Sequence, residues 1–210
     1  MRLNKRYPKL WACGEFHCER SAPLLSITRF AKFDPKYLFL RSQILTWEDY
    51  QILTSSGSIE RLEICSSEIK YSNGTLVTLD KLLRNLPFLQ KIKISKTWSE
   101  EISFFKGDTV KNMLDIISNY KNLQQLLLIN IREDFDFLSF MEYILKNESV
   151  DIAVVYDYSV PLSDAYVRML HNFVDKILKN PPKRIPEINY LKLEDSRYYN
   201  YQKLRRNFAS

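Results

Sequence analysis

The chain has 210 residues, with 31 basic against 25 acidic side chains for a net charge of +6, and is 45% hydrophobic and 13% aromatic. That supplies apolar material for a core of ordinary domain size and excludes a disordered chain, while only 4 Gly and 8 Pro exclude collagen-like and low-complexity classes. The basic excess sits at the ends, in residues 1–42 and 181–210, and reads first as a pair of solvated termini around a slightly acidic middle.

From the N-terminus, residues 1–30 hold Leu10, Trp11, Phe16, Leu24, Leu25 and Ile27. They are too apolar for a free tail and are expected to cap the first strand. The start MRLNKRYPKLWACGEF is basic but lacks the apolar run of a signal peptide, and no stretch reaches the roughly 18 apolar residues that span a bilayer. Cys13, Cys18 and Cys65 are too few, and odd in number, for a disulfide framework. A cytoplasmic or nuclear location is therefore expected, with no membrane.

Tyr37-Leu38-Phe39-Leu40 reads as a first, more fully buried strand. Thr46 caps a short helix through Trp47, Tyr50, Ile52 and Leu53, with Asp49 three residues on as an imperfect capping box. Leu79, Leu82, Leu83 and Leu86 form a helical stripe that Pro87 closes. Asp108 starts a helix with Val110, Met113, Leu114, Ile117 and Tyr120 on one face, and Phe137, Phe140, Met141, Ile144 and Leu145 mark the next. Ser163 caps the longest, whose stripe runs from Tyr166 to Leu178 until Pro181-Pro182 stops it.

Between these helices one phrase returns. Ile59-x-x-Leu62-x-Ile64, Leu89-x-x-Ile92-x-Ile94, Leu123-x-x-Leu126-x-Leu128 and Ile188-x-x-Leu191-x-Leu193 share it, and the alternating stretch Val150–Val154 stands between the last two. Intervals of 30, 34, 27 and 38 residues each hold one loop, one helix and a return to a sheet. Strands alternating with single helices at that period predict parallel strands joined by right-handed crossovers. L-x-x-L-x-L after a helix is the strand signature of leucine-rich repeats, here without the asparagine that usually follows. The predicted fold is α/β: a short, irregular, leucine-rich-repeat-like arc of parallel strands alternating with helices over residues 31–195. Residues 1–30 form an N-terminal cap segment, and residues 196–210 a basic, Tyr-rich C-terminal tail. A doubly wound α/β domain is the competing fold, without the Gly-rich turn that would place a nucleotide in it.

Catalytic chemistry finds little footing. His171 lies beside the stripe of the long helix. His17 stands between Cys13 and Cys18, but structural zinc wants four ligands in spaced pairs. Glu133, Asp134 and Asp136 precede a helix start, where acidic groups serve as caps and complement the dipole. No G-x-S-x-G, P-loop, G-x-G-x-x-G or H-E-x-x-H occurs. The sequence therefore predicts no enzyme, no catalytic residue, no cofactor and no metal. What remains is a strand face, whose outward positions are expected to be Glu60, Arg61, Glu63, Gln90, Lys91, Lys93, Gln124, Gln125, Leu127, Asn189, Tyr190 and Lys192. Such faces commonly hold other proteins.

Four phrases, "KYLFLRS" at 36–42, "LTSSGSIERLEI" at 53–64, "GTLVTLDKLLRNLP" at 74–87 and "NIREDFDFLSFMEYILKN" at 130–147, resemble a nematode-expanded group of F-box and F-box-associated proteins. The resemblance covers roughly residues 36–180. It implies a substrate-recruiting subunit of a cullin-type ubiquitin ligase, whose F-box holds a Skp-type adaptor and whose repeat region holds the target. Residues 1–30 depart from that plan: they are too short for an F-box and carry little of its pattern. The expectation is a non-enzymatic protein-interaction module related to those subunits. The alternative is a nucleic-acid-binding accessory protein using its basic termini and the Tyr198-Tyr199-x-Tyr201 cluster.

Overall fold

The computed structural model describes residues 10–19, 30–95, 104–105, 107–190 and 196–208. Seven strands form one fully parallel sheet: β1 (Leu10–Cys18), β2 (Phe30–Arg41), β4 (Arg61–Cys65), β6 (Lys91–Ser95), β7 (Gln125–Ile131), β8 (Asp151–Tyr156) and β9 (Glu187–Asn189), adjacent in that order. Beyond the ends of β2 and β4 the chain continues as β3 (Ile44–Thr46) and β5 (Glu68–Lys70), a second, two-stranded parallel sheet. Helices α1 (Trp47–Leu53), α2 (Leu79–Leu83), α3 (Thr109–Ile117), α4 (Phe137–Lys146) and α5 (Asp164–Lys179) fill the crossovers from β3 to β9. A monotonic strand order built by same-handed crossovers puts these helices on one side of the sheet. This is the α/β arc that the repeated phrase predicts, and the doubly wound alternative falls, since its strand order would reverse.

The core row follows directly from period-two alternation. Leu38, Leu62, Ile92, Leu126 and Ile152 stand in register, as do Cys18, Leu40, Ile64, Ile94, Leu128, Val154 and Ile188, all buried against the helices. At the β8 end the core turns aromatic: Phe135 meets Phe105 at 4.9 Å and Phe140 at 5.3 Å, and Phe137 meets Phe173 at 5.3 Å, edge to face. Such geometry adds about 0.5–1.5 kcal/mol per pair beyond burial.

The predicted caps form on α1, α4 and α5, while Asp108 stands at the N-cap of α3 without a side-chain cap hydrogen bond. Thr46 and Asp49 make a complete capping box, with Asp49 N–H donating to Thr46 Oγ1 at 3.0 Å and Thr46 N–H to the Asp49 carboxylate at 3.4 Å. Asp136 accepts from the Ser139 backbone and Ser163 from that of Tyr166. Glu133, one turn before α4, instead reaches across to Ser163, taking its N–H at 3.0 Å and its hydroxyl at 2.5 Å. Tyrosines finish the loops: Tyr50 donates to the Leu82 carbonyl, Tyr120 to that of Leu83 and Tyr166 to that of Phe135. The first two reach carbonyls in the last turn of the five-residue α2, that of Leu83 also taking the Leu86 N–H at 3.1 Å.

Strand ends carry a repeated device. Ser42, Ser66 and Asn130 each adopt a left-handed conformation (φ 53°, 54° and 59°) just past equivalent strand positions. Ser42 N–H then reaches the Cys65 carbonyl and Ser66 N–H that of Ser95. One residue further, buried Gln43 and Ser67 occupy the slot where a repeat asparagine is usual. Gln43 N–H donates to Ser67 Oγ at 3.0 Å, Ser67 Oγ to the Cys65 carbonyl, and the Gln43 amide to the Arg41 carbonyl. The polar ladder exists with different residues in it.

Three features differ from the expectation. Tyr37–Leu40 belongs to the second strand, not the first, because Leu10–Cys18 in the N-terminal segment pairs with β2. Ile188 aligns with Val154, Leu128 and Ile94, so it fills the third apolar slot of its repeat, not the first. Buried Pro186 stands two residues ahead of it, at the start of the strand, where a missing N–H costs least; Leu191, Lys192 and Leu193 lie outside the described residues. Residues Ser196–Phe208, expected as a tail, form helix α6. Its Tyr201 is fully buried and donates to the Pro186 carbonyl at 2.7 Å, Arg205 pairs with Glu187 and Arg197 with Asp175.

Candidate functional site

Side chains of opposite parity to the core rows point away from α1–α5 and compose the open face of the sheet. Register sets them in three rows: Glu15, Tyr37, Arg61, Lys91, Gln125 and Asp151; His17, Phe39, Glu63, Lys93, Leu127, Ala153 and Glu187; and Arg41, Cys65, Ser95, Ile129, Val155 and Asn189. The face is aromatic at the β1–β2 end, cationic over β4 and β6, aliphatic over β7 and β8, and charged again at β9.

Its most ordered part surrounds Glu63, only 5% exposed. The carboxylate accepts from Tyr37 Oη at 3.1 Å and Arg61 Nε at 2.8 Å, with Lys93 Nζ at 3.4 Å. Burial works against ionisation of this carboxyl, but the hydrogen bonds from Arg61 and Tyr37 and the charge of Lys93 outweigh it and hold it below its ordinary value. Burial, then the hydrogen bond to Glu63, pushes the Tyr37 phenol up to about 12. Glu63 also fixes Arg61, whose guanidinium lies over the Tyr37 ring at 4.5 Å. His17 packs edge-on to Tyr37 at 4.9 Å and 5.4 Å from Phe39. At the other end Asp151 meets Arg184 at 3.1 Å and Glu187 meets Arg205 at 2.9 Å, around a cavity of about 370 Å³.

Of the positions predicted for this face, Arg61, Glu63, Lys91, Lys93, Gln125, Leu127 and Asn189 lie on it. Glu60, Gln90 and Gln124 instead precede the strands, where their backbones form a ladder: Gln90 N–H to the Glu60 carbonyl at 2.7 Å and Gln124 N–H to that of Gln90 at 2.8 Å. Tyr190 is buried on the helix side, against Tyr156 and His171. Lys192 lies outside the described residues. Sequence reasoning missed Tyr37, Phe39 and Arg41, although their alternation with Leu38 and Leu40 was the available signal. It also missed Ile129 and Val155, which look like core by composition.

Catalytic groupings do not converge. His17 and Cys13 share one face of β1 while Cys18 is buried in the core row, so the C-x-x-x-H-C run splits across the strand. Among the described residues no group of three or more His, Cys, Asp or Glu could hold a metal ion, and no helix is long and apolar enough to cross a membrane. A groove of about 600 Å³ between the ends of α1 and α2 is lined by Trp47, Ser55, Ser56, Arg84 and Phe88, and its lining holds no His, Asp or Glu that could act as a base on the serine hydroxyls. Set against known proteins, the chain matches no protein family and no curated protein.

Proposed function

We propose that this chain is a non-enzymatic protein-interaction module whose open sheet face receives a target, and that it serves as a substrate-recognition component related to the F-box subunits of cullin-type ubiquitin ligases. The observation that carries the reading is the face itself: half-buried aliphatic side chains (Leu127, Ile129, Ala153, Val155) beside charges already fixed in ion pairs around Glu63. Exposed apolar area rimmed by preorganised polar groups is what a protein interface requires. The ligase role rests on the four sequence phrases. A nucleic-acid role is less favoured, because Tyr201 is buried and Arg197 and Arg205 are committed to Asp175 and Glu187, which removes a stacking ring and two cations from the basic end.

Affinity purification of the tagged protein from its own cells, wild type beside Leu127→Asp, tests this. Partners enriched with the wild type and lost with the variant support the open face as the binding site. A Skp-type adaptor and a cullin among the proteins recovered with the wild type support the ligase role; their absence removes it. Ribonucleoproteins that wash off at moderate salt move the reading to nucleic acid.

A further inference from the structure

Among the described residues every acidic side chain in the three open-face rows already has a basic partner: Glu15 has His17, Glu63 has Arg61 and Lys93, Asp151 has Arg184 and Glu187 has Arg205. The cations are not all matched. Among the described residues Lys91 and the Arg41 side chain meet no carboxylate. Register puts Arg61 directly opposite Lys91, on strands roughly 4.8 Å apart, with Lys93 two residues along the same face. Like charges placed opposite one another on neighbouring strands destabilise a sheet. One buried carboxylate cannot neutralise three such cations, and Arg41 on β2 adds a fourth.

Immediately beside this cluster, Leu127 stands opposite Lys93, followed by Ile129, Ala153 and Val155. Arg61 is oriented in advance, held by Glu63 against the Tyr37 ring, so less freedom is lost when it binds. We propose that this part of the open face binds an extended, acidic segment of a partner protein, its carboxylates on Arg41, Arg61, Lys91 and Lys93 and its apolar side chains on Leu127, Ile129 and Val155. The proposal rests on the reading of the face as a protein-binding surface and adds the chemistry of the target. From β1 to β8 the face spans roughly 24 Å, the reach of about seven extended residues. The aliphatic half favours a peptide over a polynucleotide, and the Tyr37 ring is already covered by Arg61.

Fluorescence anisotropy with three labelled probes decides it: a short peptide of Glu residues followed by Leu-Val-Ile, the same peptide with Lys in place of Glu, and an oligothymidylate of equal length. The acidic peptide is expected to bind, and Lys91→Glu or Leu127→Asp to weaken it by about tenfold or more. Circular dichroism of both variants confirms that they fold. Failure of the acidic peptide to bind, equal or tighter binding of the Lys peptide, or an effect of Lys91→Glu below about twofold overturns the acidic target. If cellular partners are still lost with Leu127→Asp, the protein-binding reading survives that result; if they are retained, both fall. Oligothymidylate binding more tightly than the acidic peptide, and losing it with Lys91→Glu, overturns the proposal in favour of nucleic acid.

Discussion

Glu63 shows how one buried charge organises a surface. Its side chain is 7% exposed, while Arg61 and Lys93 are 49% and 38% exposed, so solvent screens part of each attraction. Replacing it with Gln keeps the shape but removes the charge, leaving two cations and the Tyr37 hydroxyl around a neutral amide. A loss of about 1–2 kcal/mol near neutral pH follows. The sign with pH is fixed by the direction of the shift. The folded carboxyl ionises below the ordinary 4.5, so its stabilisation is present above that value and disappears as pH falls through the lower folded one. Urea midpoints of wild type and Glu63→Gln should therefore be well separated near neutral pH and converge in acid. A gap that stays constant would assign the loss to packing and not to charge.

Strand register makes the sharpest contrast between neighbours. Leu126 is fully buried in the core row, whereas Leu127 is half-buried on the open face. Leu126→Asp buries an unpaired carboxylate and should abolish soluble expression, while Leu127→Asp should fold with a loss of about 1 kcal/mol or less. Soluble, cooperatively folded Leu126→Asp would mean that the strand is read one residue out. This register was legible because Leu62, Ile92 and Leu126 each stand three residues after one apolar residue and two before another, which on a strand puts the last two on one side. The last repeat misled because Leu191 and Leu193 complete the phrase on paper, while the strand runs earlier, from Glu187 to Asn189, directly after Pro186. The charged half of the open face was legible for the same reason as the core, since period two assigns both. Ile129 and Val155 were not, because an apolar residue says nothing of which side of a sheet it faces when both sides carry apolar residues. Nor was α6 legible: Tyr198-Tyr199-Asn200-Tyr201 with four cations around it has no apolar stripe, and only Tyr201 anchors it fully. Tyr201→Ala should cost about 3–4 kcal/mol and raise amide exchange throughout residues 196–208, with Tyr201→Phe losing only the hydrogen bond, about 1 kcal/mol. Unchanged exchange in both variants would return this segment to the tail that its composition suggested.

Stacked strand–helix units touch only their neighbours, so an arc of this kind has a choice between melting from one end and melting as a whole. The core argues for the second outcome. Its buried side chains form one continuous cluster from Cys18 and Phe33 at β1–β2 to Tyr201 on α6, and hydroxyls cross between units from Tyr50 to α2, from Tyr120 to α2 and from Tyr166 to the loop before α4. Two probes can see opposite ends. Trp11, Trp47 and Trp98 all lie in the first half of the sequence, whereas α4, α5 and α6 hold most of the helix in the second. Phe173→Ala, which removes a buried ring packed on Phe137, should cost about 3–4 kcal/mol at the opposite end of the sheet from Trp11 and Trp47. If the cluster transmits that loss, tryptophan fluorescence and far-ultraviolet circular dichroism will shift to the same lower urea midpoint, as a two-state domain requires. A circular-dichroism transition that moves while fluorescence stays put would show that the aromatic β8–α5 region unfolds separately from the β2–β6 region, and that the open face can lose its aliphatic half while its cationic half remains folded.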